Sequence, residues 1–175
     1  MCLTKPPDFL ATTIKCKIYL EKMRDENTLQ LENLFKRNTD IIFSGFSDED
    51  QNFTPMHVWK HVVCIGSRPT LTFSQQCIVD ASKCWWNLAQ SFRLLSNSES
   101  KVSCLISIGG LGSLPWALIE FPVKNSFFQY FTINEGYPEF IITNKSSNIF
   151  LAITSEEDEI WIYLVKRDES GFSTL

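Results

Sequence analysis

Two histidines and a cysteine have the spacing of a helical metal site. His57, His61 and Cys64 stand at positions i, i+4 and i+7 of "HVWKHVVC", on one face of a helix. Imidazole nitrogens and a thiolate are ligands that Zn²⁺ accepts. However, the segment lacks the glutamate of a helical H-E-x-x-H site, and the sequence fixes no fourth ligand. We therefore expect ordinary helical packing of these side chains, with no bound metal or other cofactor.

The cysteines define neither a disulfide framework nor a catalytic site. They form no CxxC pair, and no export signal is expected because Lys5 and Asp8 interrupt the N-terminal apolar run. Catalysis by a thiolate would require a base and an orienting group beside it, and no local signature indicates them. We expect reduced, mostly buried thiols in a cytoplasmic protein; they are Cys2, Cys16, Cys64, Cys77, Cys84 and Cys104.

The glycine-rich stretch "SIGGLGSLP", residues 107–115, has the glycine density of a phosphate-binding loop. It fits neither G-x-x-x-x-G-K-[ST] nor G-x-G-x-x-G, and no lysine follows the glycines. The stretch lies inside an uncharged run from Val102 to Ile119, which is long enough to suggest a membrane span. Its glycines and serines favour two buried strands joined by a glycine turn.

An acidic turn offers the most distinctive surface. In "TSEEDEIWIYLVK", residues 154–166, four consecutive carboxylates precede an apolar, aromatic run. Charge at a hairpin tip prevents edge pairing and keeps a chain soluble. Alternatively, the turn could enter a basic cleft on another protein, with nearby aromatic residues as anchors. The candidate partner-binding residues are Glu156, Glu157, Asp158, Glu159, Trp161 and Tyr163, together with Asp48, Glu49 and Asp50.

The charge balance argues against nucleic acid as a direct ligand. Sixteen lysines and arginines against twenty acidic residues give a net charge of −4, without the basic excess that phosphate backbones demand. A modestly acidic protein can still be attracted to a basic one, because complementary fields speed their encounter.

Apolar periodicity predicts the helices. The clearest signal is an amphipathic helix over about 74–96, capped by Ser74, whose apolar positions recur three or four apart and must pack against a sheet. Residues 8–37 suggest two helices broken by "RDENT", although 12–20 also alternates like a strand. Thr54 and Pro55 indicate a short helix that ends at Gly66. Trp85 and Trp86 project about 100° apart on a helix, so one must leave the buried stripe.

Short β-rich runs from residue 101 onward predict the sheet. Tight connectors favour antiparallel neighbours, and hence a meander of five or six strands. In 127–133 and 160–165 both strand faces are apolar, so both are covered or one is a binding surface. We predict one α+β domain over residues 1–175, helical over about 8–96 and β-rich over about 101–166. The strand runs are "KVSCLISI", "WALIEF", "FFQYFTI", "EFIIT", "NIFLAIT" and "EIWIYLVK".

The segment "FFQYFTINEGYPEFIITNKSSNIFLAITSEEDEIWIYLV" resembles the terminal β-meander of bacterial immunity proteins from polymorphic toxin and contact-dependent growth inhibition systems. The resemblance covers about the last 75 residues and includes no diagnostic motif. It implies a non-enzymatic antitoxin that binds one cognate toxin, often a nuclease with a basic cleft, and blocks its active site. The alternative is a small-molecule-binding module with an apolar pocket on the sheet, lined by Phe127 and Phe131.

Overall fold

The structure is a computed structural model. The structure describes residues 9–38, 40–47, 54–64, 67–97, 101–122, 131 and 138–175. No helix in these ranges is both long and apolar enough to cross a membrane. The predicted α+β class is confirmed, with helices followed by a mostly C-terminal antiparallel sheet.

The first helix, α1, runs without a break over Phe9–Lys36. Residues 12–20 are therefore helical, and the break predicted at "RDENT" does not occur. The polar segment contains neither glycine nor proline, so nothing in it breaks the helix. Leu31 and Phe35, which follow it on α1, are buried in the core and hold the helix against the sheet.

The other two helices carry apolar stripes, as the periodicity predicted. Helix α2 spans Pro55–Val62, with Thr54 as its N-cap residue and proline in its first turn. It ends at Val62, before the predicted Gly66. A short 3₁₀ turn, Gln75–Cys77, leads into α3, Ile78–Ser91, which buries Ala81, Trp85 and Ala89. Ser74 precedes that turn without a capping hydrogen bond from its side chain.

The strands form one antiparallel sheet in the order β1-β5-β4-β6-β7-β8-β2, with β3 beside β4 and β9 beside β8. Their bounds are β1 Ile42–Phe46, β2 Leu71–Ser74, β3 Ser96–Asn97, β4 Lys101–Ile108, β5 Ala117–Pro122, β6 Phe140–Thr143, β7 Ile149–Glu156, β8 Glu159–Asp168 and β9 Gly171–Thr174.

The order departs from a simple meander where β6 pairs with β4 and not with β5. The chain of 123–139 that joins β5 to β6 is long enough to reach the other side of β4, which a tight turn could not do. The predicted strand over 127–133 lies outside the described residues except for Phe131. The first half of the chain, which was expected to be mainly helical, also contributes two strands to the sheet. These strands, β1 and β2, lie at opposite ends of the strand order.

Side chains from both faces of the sheet are buried. On the first face, α1 and α3 cover a large core. In this core the Trp85 ring contacts the Phe140 ring edge-on, with 5.3 Å between the ring centroids. The Phe131 and Phe140 ring centroids are 5.1 Å apart. Trp86 is half-buried at the margin of this core. On the second face, α2 covers a smaller cluster that includes Val58, Trp59, Val62, Leu105, Ile141, Phe150 and Tyr163. The doubly apolar pattern thus corresponds to a sheet with helices on both faces.

Candidate functional site

The acidic turn is a tight hairpin between β7 and β8. Glu156 and Glu159 face each other as the last cross-strand pair, and Glu157 and Asp158 form the connection. All four carboxylate residues are exposed. Glu157 has a φ of 38°, in the left-handed region that favours glycine. The favoured two-residue hairpin turns require a positive φ, so Glu157 adopts a conformation that glycine or asparagine would adopt at lower cost.

Gln75 holds the hairpin in place. Its backbone N–H donates to the Asp158 carbonyl at 2.9 Å, and its side-chain amide donates to the Glu157 carbonyl. Ser74 also pairs with Glu159 in the β2·β8 ladder. The turn is therefore fixed against the start of α3, and its carboxylates have a defined position relative to the sheet.

Trp161 lies beside the hairpin on the second face of the sheet. Its indole N–H donates to Glu159 Oε2 at 2.7 Å, and its side chain is only partly buried. Strand alternation places Glu159 and Trp161 on the same face, together with their partners Glu156 and Thr154 across the ladder. An aromatic ring thus lies next to two carboxylates at this corner of the sheet.

A fifth carboxylate, from Glu139, joins this corner. Phe140 pairs with Ile153, so Glu139 continues the register beside Thr154, and Ser155 Oγ donates to the Pro138 carbonyl at 3.3 Å. We name Glu139, Glu156, Glu157, Asp158, Glu159 and Trp161 the acidic corner. No salt bridge found among the described residues includes any of its carboxylates.

The environment of Glu139 opposes its ionisation. Burial raises the pKa of its carboxyl, and the nearby Glu156 carboxylate adds to the rise. A Cβ atom built on Gly109 would lie 2.6 Å from Glu139 Oε2, so the carboxylate lies directly over this glycine. Glu139 therefore carries its charge at a cost that a cationic partner would remove.

Glu139→Gln should stabilise the protein at pH 7 and not at pH 4. Because the pKa is higher in the folded state, the folded protein binds more protons, and stability falls as the pH rises above the usual carboxyl range. The gain should be below about 1 kcal/mol, since Glu139 is exposed to solvent, which screens its charge. Urea unfolding at both pH values measures it. Glu21→Gln, on the exposed side of α1, is the matched control; an equal gain there would attribute the effect to net charge.

Tyr163 was predicted to be an aromatic anchor for a partner, but its side chain is buried. It is only 2% exposed and belongs to the core beneath α2, where burial raises the pKa of its phenol and Ser67 is its hydrogen-bond partner. Its ring supports Trp161, at a centroid distance of 6.3 Å, and has almost no surface of its own to offer a partner. The other predicted acidic group, Asp48, Glu49 and Asp50, lies outside the described residues.

The residues proposed for metal or thiol chemistry make other contacts. His57 Nδ1 lies 3.2 Å from the Thr54 hydroxyl, and His61 Nε2 lies 3.4 Å from Thr174 Oγ1. Within the described parts of the chain, no three His, Cys, Asp or Glu residues form a group that could hold a metal ion.

Cys64, Cys77, Cys84 and Cys104 form no disulfide, and fewer of them are buried than expected. Cys64 and Cys77 are exposed because they follow α2 and precede α3, outside the buried stripe of either helix. Cys84 is half-buried, and Cys104 is buried in β4. Burial raises the pKa of the Cys104 thiol far above its usual range, so this thiol remains protonated.

The sequence predicted an apolar pocket on the sheet, lined by Phe127 and Phe131. Phe131 is fully buried against Phe35 and Phe140, and Phe127 lies outside the described residues. An open groove of about 340 Å³ lies instead along α1, where Leu111 meets the helix. Its lining is mixed in polarity and consists of Glu26, Leu29, Gln30, Asn33, Leu34, Arg37 and Leu111.

The sequence identified most of the acidic corner but missed Glu139. This residue was assigned to the start of a strand, and its position beside the hairpin depends on the β6·β7 register, which local patterns do not encode. Comparison of the chain with protein-family models, with curated proteins and with solved structures finds no match in any of the three.

Proposed function

We propose that this protein is an immunity protein that binds and neutralises a bacterial toxin by placing the acidic corner in the toxin's basic active-site or substrate cleft. One observation carries the proposal: five carboxylates and a partly exposed tryptophan are held together on one corner of the sheet, without a salt bridge to any described residue. A nuclease, whose cleft must attract phosphates, is the toxin class that fits best.

The position of the charges supports recognition better than simple solubility. Like charges placed directly opposite each other on neighbouring strands are destabilising, and Glu156 faces Glu159. Scattered carboxylates would keep the chain soluble without this repulsion. A basic partner would convert the repulsion into attraction, and it would gain on-rate from the concentrated field.

The rigidity of the hairpin supports tight binding. The two hydrogen bonds from Gln75 fix the turn before any partner arrives. A surface that is already ordered loses less conformational entropy on association than a flexible one. The proposed inhibitor therefore acts by steric and electrostatic occlusion in the cytoplasm of the toxin-producing cell.

The test is protection of growth. A toxin gene adjacent to the gene for this chain would be expressed in a bacterial host with and without the chain. The proposal predicts that the chain restores growth and that the two purified proteins form a complex whose affinity decreases with salt. Full toxicity in the presence of folded chain, or a complex with salt-independent affinity, would contradict it.

A further inference from the structure

We propose that the acidic corner recognises an arginine side chain of its partner, with the guanidinium stacked on the face of Trp161 and hydrogen-bonded to the carboxylates of Glu139, Glu156 and Glu159 and to the Thr154 hydroxyl. This inference rests on the proposed function only for its choice of surface: it names the chemical group that the acidic corner would recognise, and its test does not require the toxin.

Thr154 provides an observation independent of the acidic residues. It is only 4% exposed, and its hydroxyl is a buried polar atom without a hydrogen-bond partner among the described residues. Strand alternation directs the side chain to the second face of the sheet, where Trp161 is its direct cross-strand partner and Glu139 follows in the adjacent register. Buried hydroxyls normally have a partner, and a ligand donor that enters between Glu139 and Trp161 would supply the one that Thr154 lacks.

The only hydrogen-bond donor of Trp161 is already used, so a ligand at this corner would contact its partly exposed ring. The indole N–H, its only hydrogen-bond donor, is committed to Glu159 Oε2 at 2.7 Å. This hydrogen bond anchors one edge of the ring at the hairpin, while Tyr163 approaches at an interplanar angle of 67°. A cation over the exposed part of the ring would therefore meet the negative face of the indole and the carboxylates at its rim.

The spread of the carboxylates favours guanidinium over a metal ion or an ammonium. Among the described residues, including the acidic corner, no group of three or more His, Cys, Asp or Glu side chains could hold a metal ion. A guanidinium is planar, stacks on aromatic rings, and presents five donors that can reach several acceptors at once. Lysine offers a compact charge that would satisfy fewer of these acceptors.

The inference can be tested with small arginine probes and without any toxin. N-acetyl-arginine methylamide would be titrated into the ¹⁵N-labelled full chain, with the corresponding lysine and citrulline compounds as controls. The Trp161 indole signal would be followed by NMR, after assignment through its loss in Trp161→Phe. Citrulline keeps the shape of arginine and removes its charge. We expect saturable, millimolar binding of the arginine probe, at least about threefold tighter than that of the lysine probe, and none of the citrulline probe.

Two variants separate the site from general charge. Glu139→Gln should weaken arginine binding severalfold, and Thr154→Val should weaken it while the rest of the spectrum remains that of the folded protein. Glu21→Gln, on α1, should leave it unchanged. Equal shifts with citrulline, equal affinity for lysine, or no response to Glu139→Gln would overturn the inference.

The two proposals fail in different ways. If the arginine probe binds and the adjacent toxin does not, the site stands and the immunity role is lost. If the toxin binds and the probe fails, the immunity role stands and recognition of arginine at this corner is lost.

Discussion

Replacing Glu156, Glu157 and Asp158 together by lysine should slow association with a basic toxin by about tenfold or more at low ionic strength. The three carboxylates occupy one hairpin tip, so their fields add in the direction from which a basic partner approaches. The variant should also bind more weakly at equilibrium, because positive charge would then face positive charge. Stopped-flow or surface-based kinetics at several salt concentrations measure both effects, and the difference from the unmodified chain should shrink as salt is added.

A second triple variant provides the control. Glu21 and Asp25 on α1 and Glu169 in the β8–β9 turn are exposed, and replacing them by lysine changes the net charge by the same amount. This variant should associate faster than the hairpin variant. If the two variants associate at the same rate, net charge alone explains the effect. An unchanged rate in the hairpin variant would remove the acidic corner from recognition.

Local patterns predicted the elements whose burial is decided by neighbours in sequence. The stripe of α3, with Ala81, Trp85 and Ala89 buried, follows directly from its helical period. The strand predicted over 101–108 has those same bounds, because glycines interrupt the apolar run directly after it. In both cases, the residues that determine the element lie within it or beside it.

Features that depend on contacts between distant parts of the chain were harder to predict from the sequence. Strand β2, Leu71–Ser74, has only four residues, and its exposure pattern is largely that of a loop. It becomes a strand because β8 offers it an edge, and the Thr70 hydroxyl strengthens this edge by accepting from the Leu164 N–H at 2.9 Å. A short polar strand of this kind is specified by its partner and not by its own periodicity.

The candidate site shows the same division. The sequence placed Glu156, Glu159 and Trp161 on one hairpin, and their neighbourhood followed from two-residue alternation. It could not distinguish Trp161 from Tyr163, which share that alternation. The difference arises because Tyr163 lies one row further from the hairpin, in the cluster that α2 covers. The depth of a side chain on a sheet depends on what packs above it, and that contact joins segments about 100 residues apart.

The second large effect is expected at α2, the helix that covers the second face of the sheet. Trp59→Ala should lower the free energy of unfolding by about 3–5 kcal/mol. Trp59 is 8% exposed, and its indole N–H donates to the buried Ser107 hydroxyl at 2.9 Å. Its ring lies so close to Gly112 that a Cβ built there would be 2.7 Å from Trp59 Cδ1. Truncation would remove this hydrogen bond and open a cavity between α2 and the sheet. Urea unfolding followed by circular dichroism measures the loss.

Two conservative variants divide the effect into its parts. Trp59→Phe keeps most of the apolar ring and leaves the Ser107 hydroxyl without its donor, so it should cost about 1–3 kcal/mol. Ser107→Ala removes the acceptor, and combining it with Trp59→Phe should cost less than the sum of the two single changes, because the unpaired hydroxyl is then absent. A strictly additive double variant would show that the hydrogen bond contributes nothing. If Trp59→Ala unfolds at the same urea concentration as the unmodified chain, α2 is not held to the sheet by this residue, and the burial of Tyr163 beneath it has another cause.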